Sequence, residues 1–275
     1  MSHAPGLTHV RVPWTGIVLA CGLLCLALVG PELLGMDPLA QDLGAAFEPP
    51  GPVWLLGTDY LGRSVLARVV AAAPLSVGVA VAASLATAAI GTLAGVFAAT
   101  HGGAVARMVM ALADLTYAVP SLLIVLLAAG LFGSGIETVL PALILSRWPS
   151  FARACHPLAR AALAAPDSEA SLLLGFDTLY RMRRHAWPAV KPTVASLAAL
   201  GVGANVLSVS SLGFIGIGLA PPRPEWGAMV ADALPYLREA PFALLAPAAA
   251  LFLATLAATL IGEAWAEPKR GETSP

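Results

Sequence analysis

Long apolar segments of about 20 residues recur along this chain, and they constrain its fold more than any other feature. A helix of that length spans the roughly 30 Å hydrocarbon core of a bilayer. Of the 275 residues, 58% are hydrophobic and only 11% are charged, against about 25% charged in soluble domains. Because backbone polar groups in lipid must be paired within the protein, the sequence predicts an all-α, polytopic membrane protein.

Six transmembrane helices are predicted, at residues 14–34, 74–100, 105–131, 136–155, 192–219 and 241–264. The last five form a core of residues 74–264 that contains a loop at residues 156–191. Residues 1–13 and 265–275 are short tails, and residues 35–73 form an external loop. A cleaved signal peptide is the alternative for the first segment. However, no small-x-small cleavage site follows before Pro31 and Glu32, which favours a retained anchor.

Basic residues concentrate in alternate connections and in the two tails. They are Arg11, Arg107, Arg153, Arg160, Arg181, Arg183, Arg184, Lys191, Lys269 and Arg270. The opposite connections carry only Arg63, Arg68, Arg223 and Arg238. By the positive-inside rule, both termini and the loop at residues 156–191 are predicted to lie in the cytoplasm.

Within that loop, the stretch PDSEASLLLGFDTLYRMRRHAWP at residues 166–188 predicts a pair of short amphipathic helices. Pro166, Asp167 and Glu169 are typical of a helix start. Gly175 breaks the middle, and Pro188 is expected to stop the second helix. The spacing places Leu172, Phe176 and Leu179 on one face and predicts a pair between Asp177 and Arg181.

The same stretch resembles the signature loop of the permease subunits of bacterial ABC importers. The matching residues are Glu169, Ala170, Gly175, His185 and Pro188, at the family's spacing. Ser171, Trp187 and Ala189 depart from the usual Ala, Leu and Asn. In that family the loop forms a coupling helix that docks on an ATPase subunit. The resemblance implies this role for the loop here, including Asp177 and Arg181.

Further motifs resemble the dipeptide, oligopeptide and nickel subfamily of these permeases. They are Leu56-Gly57-Thr58-Asp59 with Gly62-Arg63, Asp114 with Pro120, Trp148-Pro149 with Phe151-Ala152-Arg153, and Pro222, Pro224, Trp226, Gly227 and Met229. The first and last of these motifs are external. The resemblance covers most of the chain from Leu56 to Ala264 and implies the fold of a type I ABC importer permease in a bacterial inner membrane.

The resemblance also implies partners. A homologous second permease would complete the pore, and one or two ABC ATPase subunits would bind ATP and Mg²⁺. An external solute-binding protein would deliver the substrate. The chain itself is expected to bind membrane lipid but no cofactor, no metal and no nucleic acid, and it is expected not to be an enzyme.

Other classes of membrane protein lack support in the sequence. The only lysines, Lys191 and Lys269, are not part of a phosphate-binding G-x-x-x-x-G-K-[ST] loop, so ATP hydrolysis is assigned to the partners. The hydrolase motifs H-E-x-x-H and G-x-S-x-G are also absent. An ion-coupled secondary transporter would need several intramembrane carboxylates and repeated halves. Only Asp114 lies deep in a predicted span, and no repeat is visible.

Polar residues inside the predicted spans are candidates for function. Asn205, Ser208 and Ser211 in the fifth span either line the translocation path or form hydrogen bonds between helices. Asp114 and Arg147 fall at similar predicted depths in the third and fourth spans. They are predicted to form an ion pair, and the alternative is that Arg147 extends alone to an interface.

The cargo is left open between two classes. Permeases with these motifs carry peptides, nickel or other metal chelates. His3, His9 and the cysteines form no credible metal site. Peptides are the first expectation, and nickel or a metal chelate is the second.

Overall fold

The computed structural model describes residues 14–218 and 222–266. Within these ranges the chain forms ten α-helices and no extended strand. They are α1 (Trp14–Leu34), α2 (Val65–His101), α3 (Gly103–Tyr117), α4 (Ser121–Phe132), α5 (Ile136–Leu163), α6 (Pro166–Leu173), α7 (Thr178–Arg181), α8 (Trp187–Phe214), α9 (Trp226–Ala233) and α10 (Pro241–Ala266). The all-α fold class is therefore confirmed. The N-terminal tail and most of the C-terminal tail, with Arg11, Lys269 and Arg270, lie outside the described residues.

Three helices in the described part of the chain are long and apolar enough to cross a membrane. They are α2, the continuous helix Thr178–Phe214 that contains α7 and α8, and α10. The pair α3 and α4 passes the same test jointly, as one bent span. For α1 the test covers only the described stretch Trp14–Cys25, which is apolar, and α5 carries four charged side chains. The count of six spans therefore remains a prediction.

The predicted third span is broken rather than straight. Helices α3 and α4 meet at an angle of 80°, with Pro120 as the residue that precedes α4. Proline has no N–H to donate and disfavours the helical conformation of the residue before it. The chain therefore turns at Val119 and Pro120, a break that the apolar pattern alone did not reveal.

Helix α2 begins earlier than predicted, at Val65 instead of Pro74. Ser64 caps it, because its hydroxyl accepts a hydrogen bond from the Ala67 N–H. Pro74 lies inside the helix, as transmembrane helices tolerate when neighbouring groups satisfy the freed backbone. The first turns of α2 thus lie in the segment predicted as external loop, where Val65, Val69 and Ala72 are buried.

The core is formed by α2, α5, α8 and α10, which pack side by side. One buried cluster joins Val69 and Ala80 of α2 to Val206 of α8, Trp226 of α9 and Ala254 of α10. A second cluster joins α2, α4, α5 and α8. Helix α8 is central, because it contacts α2, α5, α9 and α10.

Candidate functional site

The loop between α5 and α8 forms the predicted pair of short helices, α6 and α7. Pro166 occupies the first turn of α6, and Asp167 and Glu169 place negative charge there, where the helix dipole favours it. Gly175 follows with φ +84°, a backbone conformation that side chains with a Cβ rarely adopt. Asp177 then caps α7 by accepting a hydrogen bond from the Tyr180 N–H at 2.8 Å.

Two details of the predicted loop are wrong. Leu172, Phe176 and Leu179 do not share one helix face, because the break at Gly175 puts Leu172 in α6 and Leu179 in α7. The predicted pair between Asp177 and Arg181 is not formed either. Asp177 caps its own helix, and Arg181 extends away to other partners.

Pro188 does not stop the second helix. It lies in the first turn of α8, and the helix runs on to Phe214. The turn before it, Met182–Ala186, is wound as a π-helix. Such a wider turn changes which backbone groups face the proline, so the missing N–H and the bulk of the ring can be accommodated.

Arg181 and His185 tie the loop to the long helices. Arg181 Nη2 donates to the carbonyl of Leu163, the last residue of α5, at 2.8 Å. Its Nε donates to the hydroxyl of the buried Ser168 in α6 at 3.2 Å. His185 Nε2 lies 3.0 Å from Ser171 Oγ, and its Nδ1 lies 3.9 Å from the Asp167 carboxylate. These contacts hold α6 against the end of α5 and the start of α8.

The outer side of the loop is apolar and exposed. Leu173 is 88% exposed and Leu174 is 77% exposed. The rings of Phe176 and Tyr180 stack beside them, with centroids 4.2 Å apart, while Glu169 and Ala170 are also exposed. The loop thus has an anchored inner side and an apolar outer rim, which is the arrangement expected of a surface that docks on another protein.

The first external motif forms a buried charge cluster. The Asp59 carboxylate accepts hydrogen bonds from Arg63 Nε at 2.7 Å and from Arg68 Nη1 at 2.9 Å. It also accepts the backbone N–H groups of Leu61 and Arg63. Gly62 closes this turn with φ +71°, and a Cβ there would collide with the Asp42 carbonyl. The motif therefore fixes the external segment onto the start of α2.

The second external motif is anchored on the same helix from the other side. Trp226 is fully buried, and its indole N–H donates to the Val69 carbonyl in α2 at 2.9 Å. Gly227 donates its backbone N–H to the Glu225 carboxylate, and Met229 packs into the buried cluster around Val69. Both motifs thus meet at the N-terminal end of α2.

Glu225 is the residue of this motif that the sequence analysis missed. Its carboxylate is buried and accepts from Ser210 Oγ of α8 at 3.0 Å and from Ser76 Oγ of α2 at 3.4 Å. It also caps α9 by accepting from Gly227 and Ala228. The only sequence signal is its place one residue before a helix start, where an acidic side chain is favoured.

The three candidate pore residues of α8 separate into two groups. Asn205 is buried, and its side-chain N–H donates to the Ala80 carbonyl of α2 at 3.3 Å, which favours the interhelical alternative for this residue. Ser208 is partly buried and Ser211 is exposed. These two serines lie one turn apart on the accessible side of α8.

The predicted ion pair between Asp114 and Arg147 is not formed. Asp114 of α3 instead forms a salt bridge with Arg153 of α5. The predicted depth of Arg147 was counted from a helix end at Cys155, whereas α5 continues to Leu163. At 1.5 Å per residue, Asp114 lies about 16 Å from the start of α3 and Arg153 about 15 Å from the end of α5, whereas Arg147 lies about 24 Å from that end.

Arg147 finds a different partner. Its Nη2 donates to Ser208 Oγ of α8 at 2.8 Å and approaches the Ala204 carbonyl at 3.5 Å. It therefore does not extend alone to an interface, as the alternative had it. The sequence could not indicate this contact, because a serine in α8 carries no charge pattern that points to an arginine in α5.

An all-helical chain with several apolar helices, an anchored loop with an apolar rim, and polar side chains at mid-span together define a polytopic membrane protein of the permease class. Comparison with known proteins identifies the family. The family model described as "Binding-protein-dependent transport system inner membrane component" matches residues 91–267. The chain belongs to this family.

Named relatives agree with that assignment. The chain is 32% identical to the nickel transport system permease protein NikC of Escherichia coli strain K12 over 248 residues, which cover 90% of each protein. It is 27% identical to the glutathione transport system permease protein GsiD of Pectobacterium atrosepticum over 269 residues, or 92% of this chain and 89% of the relative. The predicted membership in the peptide and nickel group of ABC importer permeases is confirmed.

Proposed function

We propose that this chain forms half of the translocation pore of an ATP-driven importer, and that it carries peptides or nickel and other metal chelates. The observation that supports this most directly is the loop at residues 166–188, with its exposed Leu173 and Leu174 and its firm attachment to α5 and α8. A partner that binds this apolar rim can move α5 and α8 together. The relatives that transport nickel and glutathione support the two cargo classes.

The proposal assigns the energy source to partner subunits. ABC ATPase subunits would hold ATP and Mg²⁺ and dock on the apolar rim from the cytoplasm, where both termini would also lie. A homologous permease would complete the pore, and a solute-binding protein would deliver cargo from outside. Closure of the ATPases would pull the loop and convert the pore between inward and outward access.

An uptake experiment tests the proposed function. Cells that lack this chain are compared with cells that carry it, using a labelled dipeptide and labelled nickel, each with and without the external binding protein. We expect loss of chain-dependent uptake, restored by the wild-type chain, for at least one cargo. Loss of dipeptide uptake alone assigns peptides, and loss of nickel uptake alone assigns the metal. Unchanged uptake of both would contradict the proposal.

A further inference from the structure

Arg147 lies close to the middle of α5. It is 11 residues after Ile136 and 16 before Leu163, or about 16 and 24 Å from the two ends of the helix. In the membrane span that the sequence predicts for this part of α5, a charged side chain at such depth is expensive unless it is paired or faces water. The described residues place no carboxylate within 4 Å of its guanidinium, so its charge is not neutralised within the described chain.

Three other arginines of the described residues have acidic partners. Arg63 and Arg68 share Asp59, and Arg153 pairs with Asp114. Arg147 is held only by neutral groups, Ser208 Oγ and the Ala204 carbonyl. Its Nε is buried without a hydrogen-bond partner, and its Nη1 forms no hydrogen bond with the described residues. The guanidinium thus retains its full charge and unused donors.

The side of α8 next to Arg147 is accessible and partly polar. Ala204, Leu207, Ser208, Ser211 and Phe214 follow one another at helical spacing, and each of them is exposed or partly buried. The hydroxyl groups of Ser208 and Ser211 donate to the Ala204 and Leu207 carbonyls of their own helix, but the guanidinium beside them is unfavourable against lipid and favourable along a water-filled route. This stripe therefore fits the wall of the translocation path better than a lipid-facing surface.

We infer that Arg147, oriented by Ser208, binds the carboxylate of the transported solute as it passes along α8. A guanidinium has planar N–H donors that match a carboxylate, and such charge-assisted hydrogen bonds are the strong ones. The same charge repels a bare divalent cation. The cargo is therefore a carboxylate-bearing solute, either a peptide or a carboxylate chelate of a metal. This inference rests on the proposed function and specifies its substrate class.

The first test compares solutes with and without the carboxylate. The complete transporter, with its binding protein at saturation, is given a labelled dipeptide and the same dipeptide amidated at its C-terminus. Arg147→Gln should reduce dipeptide uptake by about tenfold, the effect of losing one hydrogen bond to a charged group, and leave uptake of the amide unchanged. Arg147→Lys should retain most of the uptake. All variants use the same binding protein, so its preference for the dipeptide or the amide affects each variant equally. The ratio of dipeptide to amide uptake therefore reports on the permease.

A matched control comes from the same helix. Arg153→Gln also removes a guanidinium from α5, but one that Asp114 already neutralises, so it should leave the ratio of dipeptide to amide uptake unchanged. Nickel supplied as a carboxylate chelate or as the aqueous ion forms a parallel arm. Selective loss of chelate uptake in Arg147→Gln would identify the metal chelate, rather than the peptide, as the source of the carboxylate.

A second measurement does not depend on delivery of cargo. In a chain with Cys21, Cys25 and Cys155 replaced by Ala, Ser211→Cys is treated with anionic and cationic methanethiosulfonate reagents. If Arg147 makes this route favourable for anions, the anionic reagent should react preferentially, and Arg147→Gln should reduce that preference several-fold. An unreactive Ser211→Cys, or a reagent ratio independent of Arg147, would overturn the inference.

The outcomes of the two measurements separate the two proposals. Equal loss of both peptide solutes in Arg147→Gln would make this residue structural and end the inference, while the proposed function would stand. If removal of the whole chain changes uptake of no cargo, the proposed function fails, and the inferred role in transport fails with it. The reagent ratio would in that case still report whether the route along α8 favours anions.

Discussion

Asp59 and Asp232 lie near the same arginine, yet their surroundings differ. Asp59 is buried and accepts four hydrogen bonds, two of them from the guanidinium groups of Arg63 and Arg68. The Asp232 carboxylate is half-exposed and lies 3.8 Å from Arg68 Nη2. Burial raises the pKa of Asp232; Arg63 lowers it, and the charge of Asp59 raises it further. For these two aspartates, the number of hydrogen-bond donors around the carboxylate decides whether its charge stabilises the fold.

The two residues therefore predict a contrast. Asp59→Asn leaves two buried guanidinium groups without their counter-charge, a change that costs about 3 kcal/mol or more. It should lower the thermal midpoint of the purified complex in detergent by several degrees. Asp232→Asn, the matched control, should leave the midpoint at pH 7 unchanged or raise it. A similar loss in both variants would contradict this assignment.

The sign of the pH dependence follows from the raised pKa of Asp232. Between its value in the unfolded chain and its raised value in the folded chain, the folded state binds more protons. Stability should therefore fall as pH rises through that window and level off above it. In Asp232→Asn this decline should be reduced, and thermal midpoints measured across a pH series provide the check.

The motifs named single residues, but the sequence did not reveal the partners that those residues find across helices. The motif identified Asp59, Gly62 and Trp226, and each has a definite position in the structure. It did not identify Glu225, whose partners Ser76 and Ser210 are 149 and 15 residues away. The pair of Asp114 with Arg147 failed because it rested on a helix end placed too early.

The turn between helices α6 and α7 depends on the backbone conformation of a single residue, Gly175. Gly175 has φ +84° and no atom within 4 Å of where a Cβ would be. The space around it is open, but the conformation costs a residue with a Cβ about 1–2 kcal/mol. Any large side chain there would project beside the apolar rim of Leu173 and Leu174.

Gly175→Arg should therefore separate assembly in the membrane from coupling. We expect normal membrane levels of the chain but reduced co-purification of the ATPase subunits and reduced uptake, because the arginine strains the turn and obstructs the rim. Gly175→Ala should show the effect of strain alone. Gly78→Ala, in α2 where a Cβ would meet nothing within 4 Å, is the neutral control. Normal co-purification and uptake in Gly175→Arg would refute the proposed docking.

Element boundaries show where pattern and structure diverge. The first loop helix, α6, begins at Pro166 as the sequence predicted, since proline and acidic residues mark a helix start clearly. The predicted stop at Pro188 was wrong, because the π-turn before it lets the helix continue. The straight third span was wrong for the opposite reason: Pro120 does break the chain there. The effect of a proline depends on neighbouring turns that a hydropathy pattern does not contain.

For the molecule as a whole, composition and the apolar periodicity were sufficient to predict an all-α membrane protein. They were insufficient for the arrangement of its helices, because apolar side chains can face lipid or another helix equally well. Orientation rests on the distribution of basic residues alone. The inward placement of the loop at residues 166–188 therefore remains a prediction that experiment must test.

Thiol labelling tests this orientation. In a chain without the native cysteines, Leu174→Cys should react with a membrane-impermeant reagent only when the cytoplasmic side is opened. Arg238→Cys, in the connection between α9 and α10, should react in intact cells from the outside. Both positions are exposed, so access to the reagent depends on the side of the membrane and not on burial. Labelling of Leu174→Cys in intact cells would reverse the predicted orientation.

The continuity of α8 through Pro188 has a mechanical consequence. This helix is 28 residues long, or about 42 Å, and its two ends are held differently. Near its C-terminal end, Ser210 donates a hydrogen bond to Glu225, while its N-terminal end follows directly on the loop that Arg181 and His185 hold. Trp187, the first residue of α8, is 23 residues or about 35 Å from Ser210, so a tilt of the helix by about 5° around Ser210 would move its first residue by about 3 Å. This displacement is smaller than one helical turn and falls almost to zero at Ser208, two residues from Ser210, so the contact between Ser208 and Arg147 would be kept while the loop end of α8 moves.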